Sequence, residues 1–410
     1  MRTALRRAAT GLSWFGAFAL FALAPAIGSI SSVLGVLVAA LLAPVAFLRG
    51  SWTALRAQPA MLMFLVSFAA LTICFAITAR DPGQVLFAAN FLGLLLAPVV
   101  YLVAARRPGV QTIAWLTALF ALGAVVGALT GSYDIFVTGR DRALGWASGG
   151  NLMARSVVPL GFMAVAGLLA IRARWRWAYL VGLAAALYAL YLTGTRGVFV
   201  AIPLLGLIFI WALMREFRVK PVWALAGLGA IILAMIVVGV GSPRFAGLVT
   251  LFQQLLFDRG AIADGATTQR LYMLEAGWVT FLKSPWIGFG WGNFTEAAKP
   301  YGIYFFHNDF MDAAVAAGVV GIAAWLATML APLVGVLAMP KDRYARTRLY
   351  GALILTTSFF IFGLTDMEFG YDLPTTLHAF FTAVLLGAFR EPDSVNPASR
   401  SAADHRSARP

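Results

Sequence analysis

Twelve apolar blocks punctuate this chain, each about as long as the ~20 residues a helix needs to cross a bilayer. They run 12–28, 31–48, 59–78, 84–104, 111–130, 152–171, 176–192, 198–214, 221–240, 310–333, 350–365 and 373–389. So many spans predict an all-α polytopic membrane protein. Charged residues make up 12% of the chain, half of the ~25% usual in soluble domains. That excludes a soluble enzyme, a secreted disulfide scaffold and a disordered protein. The opening MRTALRRAAT leads into an apolar stretch with no small-residue cleavage site ahead of a polar domain, so it reads as an uncleaved first helix. Gly28, Ser29, Ser31 and Ser32 make a weak break between the first two spans.

The net charge of +14 reads as topology and contact with anionic lipid rather than as a nucleic-acid surface. With the amino terminus inside, 21 of the 31 lysines and arginines fall in the inner connections and tail, against five of the 17 acids. This is the positive-inside pattern, and it places both termini in the cytoplasm. A transmembrane domain then covers 1–390, a long outer loop, 241–309, forms a small subdomain, and the polar tail 391–410 is disordered and cytoplasmic. Cys74, inside an apolar block, reads as an inert buried thiol, and His307, His378 and His405 are too far apart in sequence to suggest a metal cluster.

Polar groups with chemical potential collect on the outer side, in three segments. Thr193-Gly194-Thr195-Arg196-Gly197 is a five-residue turn that holds Arg196 close to the membrane surface. Arg196 either snorkels to headgroups or offers its fork of donors to a phosphate. In the long loop, Thr267-Thr268 caps a predicted helix over 269–282 that Ser284-Pro285 stops, with Leu271, Leu274 and Trp278 toward the membrane. Arg270 then sits in the first turn, where a cation opposes the helix dipole; its partner is an external anion, or Glu275 or Asp264. The glycine-rich run Pro285–Phe294 lacks the spacing and Lys-Ser/Thr ending of a nucleotide loop and reads as a close-packed turn with interfacial aromatics. His307-Asn308-Asp309-Phe310 opens the next span. An imidazole at an outward helix amino terminus, where anions are favoured, suits a general base. Gly318 and Gly321 lie on nearly one face and allow close helix packing. His378 reads as a core residue and His405 as part of the solvated tail.

His307-Asn308, nine residues, then Gly318-Val-Val-Gly321 resembles the H-N/S/Q-x9-G-x-x-G signature of the O-antigen ligase family, whose superfamily includes O-antigen and exopolysaccharide polymerases. The Thr193–Gly197 turn resembles that family's T-G-S/T-R-G element. Arg270 with Pro285-x-x-Gly288-x-Gly290-x-Gly292-Asn293-Phe294 resembles its R…P-x-x-G-x-G-x-x-N-F loop. Arg142-Ala-Leu-Gly145 to Asn151 resembles an earlier R-x-x-G…N segment, with Gly149-Gly150 departing from its usual Asn-Pro. The similarity covers roughly 130–325.

The resemblance implies a membrane-embedded, GT-C-like, metal-independent inverting glycosyltransferase that needs no cofactor and works at the periplasmic face of the bacterial inner membrane. Its donor would be a glycan on undecaprenyl diphosphate and its acceptor lipid A-core or another glycan, with membrane lipids around it and no nucleic acid. Arg196 and Arg270 match the family arginines assigned to the diphosphate and His307 the family histidine that orients or deprotonates the acceptor, while Arg142 and Asn308 are further substrate contacts. Ligation to lipid A-core leads, over polymerisation on the same carrier. A transporter would predict ionisable residues near the midplane of several helices, which the apolar blocks scarcely contain, and a scaffold would leave the electropositive outer cluster without a purpose. A reporter enzyme active only outside the cytoplasm, fused after Arg107, Arg140 or Arg174, is expected to be silent, active and silent in that order.

Overall fold

The computed structural model describes residues 2–47, 51–146, 149–218, 220, 222, 226, 227, 229 and 265–392. Among these, ten helices are long and apolar enough to cross a membrane. They are α1 (Arg7–Ile27), α2 (Ser29–Ala46), α3 (Pro59–Thr78), α4 (Pro82–Ala104), α5 (Val110–Phe136), α6 (Gly150–Ala170), α7 (Arg174–Thr193), α8 (Arg196–Phe217), α10 (Asp309–Leu337) and α11 (Ala345–Thr365). Two further helices are α9 (Gly265–Phe281), in the long connection, and α12 (Asp372–Ala388), a buried apolar helix one turn shorter than most. Eleven of the twelve expected spans therefore have a counterpart here. All but four residues of the block 221–240, the stretch 241–264 and the tail beyond residue 392 lie outside the described residues. The protein is a polytopic, helical membrane protein.

The break between the first two spans is a real one. Gly28 at φ 55° ends α1, a backbone conformation that favours glycine. Ser31 Oγ then donates to the Gly28 carbonyl at 2.7 Å, and Ser29 and Ser32 both donate to the Asp372 carboxylate, tying the turn to the start of α12.

At the centre stand α6, buried along almost all of its length, and α12. α6 packs on α5, α7 and α11, while α12 packs on α4 and α10 on α3 and α11. Lipid tails supply no hydrophobic drive between helices, so small residues that admit close backbone approach carry the packing. A Cβ at Gly161 of α6 would stand 2.3 Å from Ala186 Cβ on α7.

One irregularity positions everything that follows. α10 is broken at Ala317 (φ −137°) and Gly318 (φ 63°, ψ −148°). The break frees backbone groups that the segment 285–290 then satisfies: Phe289 N donates to Val315 O at 2.9 Å, Gly290 N to Ala316 O at 2.8 Å, and Val319 N to Pro285 O at 2.8 Å. The two strands of chain touch backbone to backbone. A Cβ on Gly318 would lie 2.4 Å from the Trp286 carbonyl carbon, and one on Gly288 2.4 Å from that of Ala316. The glycines of both motifs thus make an interlock. Gly318 breaks its helix rather than smoothing a packing face as the sequence suggested, because its dihedral angles are those of glycine alone. The glycine-rich run is the close-packed turn expected of it: Asn293 bonds Thr78 O at 3.0 Å and Gln84 Nε2 at 2.6 Å, and Trp291 buries against Phe75, Phe91 and Phe294.

Gly318→Ala is expected to cost ~3 kcal/mol or more, since strain and a backbone collision add. Gly302→Ala, also at positive φ but with open space around it, should cost only ~1–2 kcal/mol. Thermal unfolding of both variants in detergent checks the difference.

Candidate functional site

Five separate stretches of chain meet at the end of the bundle formed by the start of α6, the α7–α8 turn and the start of α10. The loop between α5 and α6 is organised by the buried Asp134, whose Oδ2 accepts from the N–H groups of Leu144 and Gly145, both at 2.8 Å. Ala143 N also bonds Leu192 O at 3.0 Å. That places Arg142 against the α7–α8 turn, where its Nε donates to Thr193 O at 2.8 Å.

In the turn itself Gly194 closes α7 in the left-handed conformation (φ 62°) and Arg196 opens α8. Thr195, the residue before α8, makes no side-chain capping bond to it, and its carbonyl accepts only from Val198 N at 3.3 Å, so the amides of Arg196 and Gly197 and the Arg196 guanidinium favour an anion there. Arg196 is exposed and makes no hydrogen bond or ion pair with any described residue. The same is true of Arg270 on α9.

α9 is already helical at Gly265, the first described residue of the segment and ahead of the cap expected at Thr267-Thr268. Thr267 and Thr268 therefore lie inside it, and Arg270 falls in its second turn, where the opposing dipole is weaker. Met273, Ala276 and Thr280 are buried toward the bundle, while Leu271 and Trp278 are about half exposed, as an interfacial helix requires.

Arg142, Arg196 and Arg270 line one cavity of about 410 Å³, together with Asn151, Arg155, Thr195, Thr365 and Asp366. His307 does not line it but reaches it through Asp366: Nδ1 of His307 is 2.5 Å from Asp366 Oδ1. The imidazole is 44% exposed, and His307 holds a φ of 50°, rare for a residue with a side chain. Asn308 points away from the cavity. Its Oδ1 accepts from Met311 N at 3.0 Å, capping α10, and its Nδ2 donates to Leu364 O at 3.0 Å. The structure thus joins His307 and the three arginines in one region and gives Asn308 the work of a cap.

Asp366 is the centre of the arrangement. Besides His307, its Oδ1 accepts from Met367 N at 2.9 Å, and its Oδ2 meets Arg155 at 2.6 Å and Asn151 Nδ2 at 2.9 Å. Burial pushes this carboxyl up, but the His307 hydrogen bond, the Arg155 guanidinium and the Met367 N–H outweigh it and hold the carboxyl well below its usual range. An ionised Asp366 only accepts, so Nδ1 of His307 carries a proton toward it and a neutral ring keeps Nε2 bare.

Behind Asp366, Arg155 also pairs with the buried Glu368 at 2.5 Å. Burial, set against Arg155, pushes the Glu368 carboxyl well above its ordinary value. Asp309 accepts from the N–H groups of Glu368 (2.6 Å) and Phe369 (2.9 Å), strapping the 366–369 turn to α10.

Neither Asp366 nor Arg155 stood out in sequence as a site residue. Two signals pointed to them: Arg155 is a charge four residues into an otherwise apolar block, and Asp366-Met-Glu368 sets two acids beside the membrane with no adjacent base.

The fold and this cluster define the class: a multi-pass membrane protein with a cationic, half-open site at one end of its helix bundle. A family model described as O-Antigen ligase matches residues 181–326. Over that segment, about a third of the chain, the sequence is similar to the O-antigen ligase family. The match takes in Arg196, Arg270, His307, Gly318 and Gly321, while Arg142, Arg155 and Asp366 lie outside it. A search of the curated proteins gives no match.

Two kinds of arginine share this site, and they are separable by stability. Arg155→Ala strands Asp366 and Glu368 and is expected to cost ~3–5 kcal/mol. Arg196→Ala and Arg270→Ala remove exposed groups with no partner among the described residues and should stay within about 0.5 kcal/mol of the parent. Thermal unfolding in detergent, without substrate, checks this.

Proposed function

We propose that the protein transfers a glycan from undecaprenyl diphosphate to an acceptor hydroxyl at the periplasmic face of the bacterial inner membrane, the acceptor being lipid A-core. The observation that carries this reading is the meeting of four arginines with Asp366 in one cavity, three of them without a carboxylate partner among the described residues, and His307 bound to that Asp366 at its edge. Arg142 is tied to a carbonyl, and among the described residues it has no carboxylate partner and Arg196 and Arg270 have no hydrogen-bond or ion-pair partner. Asp366, the carboxylate among the lining residues, is already engaged by Arg155 and His307, which leaves the charge of the other arginines for a bound anion.

In the proposed reaction the acceptor oxygen attacks the anomeric carbon of the donor as the bond from that carbon to the diphosphate oxygen breaks. The electron pair of that bond leaves with the diphosphate, and the hydroxyl proton passes to Nε2 of His307. A single displacement of this kind inverts the anomeric centre. Arg196 and Arg270 neutralise the charge developing on the diphosphate, most of all in the transition state. These guanidiniums supply the positive charge that the step requires, so the mechanism works without a metal ion or cofactor. Asp366 fixes the His307 tautomer and stabilises the imidazolium once formed, the part a carboxylate plays behind a catalytic histidine generally. Arg155 and Asn151 hold Asp366 in place and are positioning residues. Arg142 contacts donor or acceptor on the turn side of the cavity. The excess of basic residues at the opposite end of the bundle supports placing that end in the cytoplasm and the site outside.

A polymerase that lengthens the glycan on its carrier would use the same donor, leaving group and residues, and is the second reading. Purified protein reconstituted with an undecaprenyl-diphosphate-linked glycan and rough lipopolysaccharide, with EDTA present, distinguishes the two. Ligation caps the lipopolysaccharide with one finished glycan, whereas polymerisation leaves a longer glycan on the carrier. His307→Ala should lower the rate by about 10²- to 10⁴-fold, and Arg196→Ala or Arg270→Ala by about 10²-fold or more. Activity that survives all three substitutions would show the chemistry to lie elsewhere.

A further inference from the structure

At the other end of the bundle, a second and larger cavity of about 530 Å³ lies between α1, α2, α4, α5 and α12. Its walls are apolar over most of their extent, with Leu20, Val38, Leu42 and Val100 among them. Its floor is Phe21, which makes edge and tilted ring contacts with Phe120 at 4.9 Å and Phe381 at 4.8 Å. Phe21 sits in a π-helical turn, Phe18–Ala22, interrupting α1, a distortion often found where a helix wall serves a site.

The mouth is of opposite character. Arg106 and Arg107 line it with Thr112. Arg106 donates to the Val45 and Ala46 carbonyls at the end of α2, which fixes its guanidinium at the rim. The Arg107 side chain is exposed and makes no hydrogen bond or ion pair with any described residue.

Two dimensions limit the occupant. Lining residues on α1 run from Ala9 at the mouth to Phe21 at the floor, which at the α-helical rise is about 18 Å. The hydrocarbon core is ~30 Å thick, so the cavity takes the tail of a lipid from one leaflet and stops near the midplane. Its mouth also lies at the end of the bundle away from Arg196, Arg270 and His307. A lipid whose diphosphate sits among those arginines cannot have its head here.

We infer that this cavity binds a glycerophospholipid with a net-negative headgroup, drawn from the leaflet at the basic end, with one acyl chain inside and its phosphate against Arg106 and Arg107. The apolar walls accept the chain by exclusion of lipid-incompatible polar groups, and the paired arginines select the charge of the head. The site is separate from the glycan-transfer chemistry and does not depend on it.

Native mass spectrometry of the purified full-length protein tests this, with phosphatidylglycerol or phosphatidylcholine of identical chains added in turn. The wild type should retain one phosphatidylglycerol in preference to phosphatidylcholine. Arg107→Ala should weaken that retention about 5-fold, the worth of one basic group near an anionic lipid. Ala39→Phe, which places a ring in the cavity, should abolish retention of both lipids. Arg174→Ala, an exposed arginine at the same end but away from the cavity, should change nothing. Should Ala39→Phe not fold, the contrast between Arg107→Ala and Arg174→Ala decides the matter alone. Equal retention of the two lipids with indifference to Arg107→Ala overturns the inference, as does displacement of phosphatidylglycerol by a polyprenyl phosphate, which would make this a carrier-lipid site.

Discussion

A carboxylate buried at the end of a helix bundle needs its charge matched, and Asp366 meets that need with donors from three parts of the chain. Asn151 and Arg155 come from α6, Met367 from its own turn and His307 from the residue pair ahead of α10. Without Asp366, Arg155 would keep Glu368 and the Met367 carbonyl as buried partners, and the imidazole would lose the carboxylate that fixes its tautomer. The price of burying one ion is thus met by joining the central helix to the histidine. The same joint sets the cavity wall against which Arg142, Arg196 and Arg270 stand.

A second constraint, made of backbone alone, holds the histidine in register. The break at Ala317–Gly318 lets the 285–290 segment bond directly to α10. Because that segment follows α9, the interlock ties the helix bearing Arg270 to the helix that His307 precedes. Spacing between the histidine and the two glycines therefore has a mechanical meaning: ten residues separate His307 from Gly318, about three helical turns, and any change would move the site relative to the interlock.

Much of this was legible in the residues. The spans could be read because a helix in lipid must be apolar for about 20 residues, and eleven of the twelve expected have a described counterpart. Arg196, Arg270 and His307 could be singled out because polar residues near a membrane are few and their sequence contexts matched a known pattern. Asp366 and Arg155 escaped notice since each is defined by a partner over 200 residues away, which spacing cannot show. Thr267 and Thr268 lie inside α9 rather than ahead of it, since a threonine pair fits a cap and a helix interior alike. The role of Gly318 depended on its dihedral angles, and a sequence shows glycine without showing φ. Asn308 beside the histidine looked like a contact for substrate, yet its side chain is spent on Met311 and Leu364.

The central claim is that the cavity bounded by Arg142, Arg196 and Arg270 receives the diphosphate of a lipid-linked glycan beside His307. The most direct test is an electron cryomicroscopy structure of the protein with an undecaprenyl-diphosphate-linked glycan bound. The account predicts diphosphate density between the Arg196 and Arg270 guanidiniums, with the anomeric carbon on the side of His307 Nε2. Diphosphate density elsewhere on the bundle, with this cavity vacant, would contradict it.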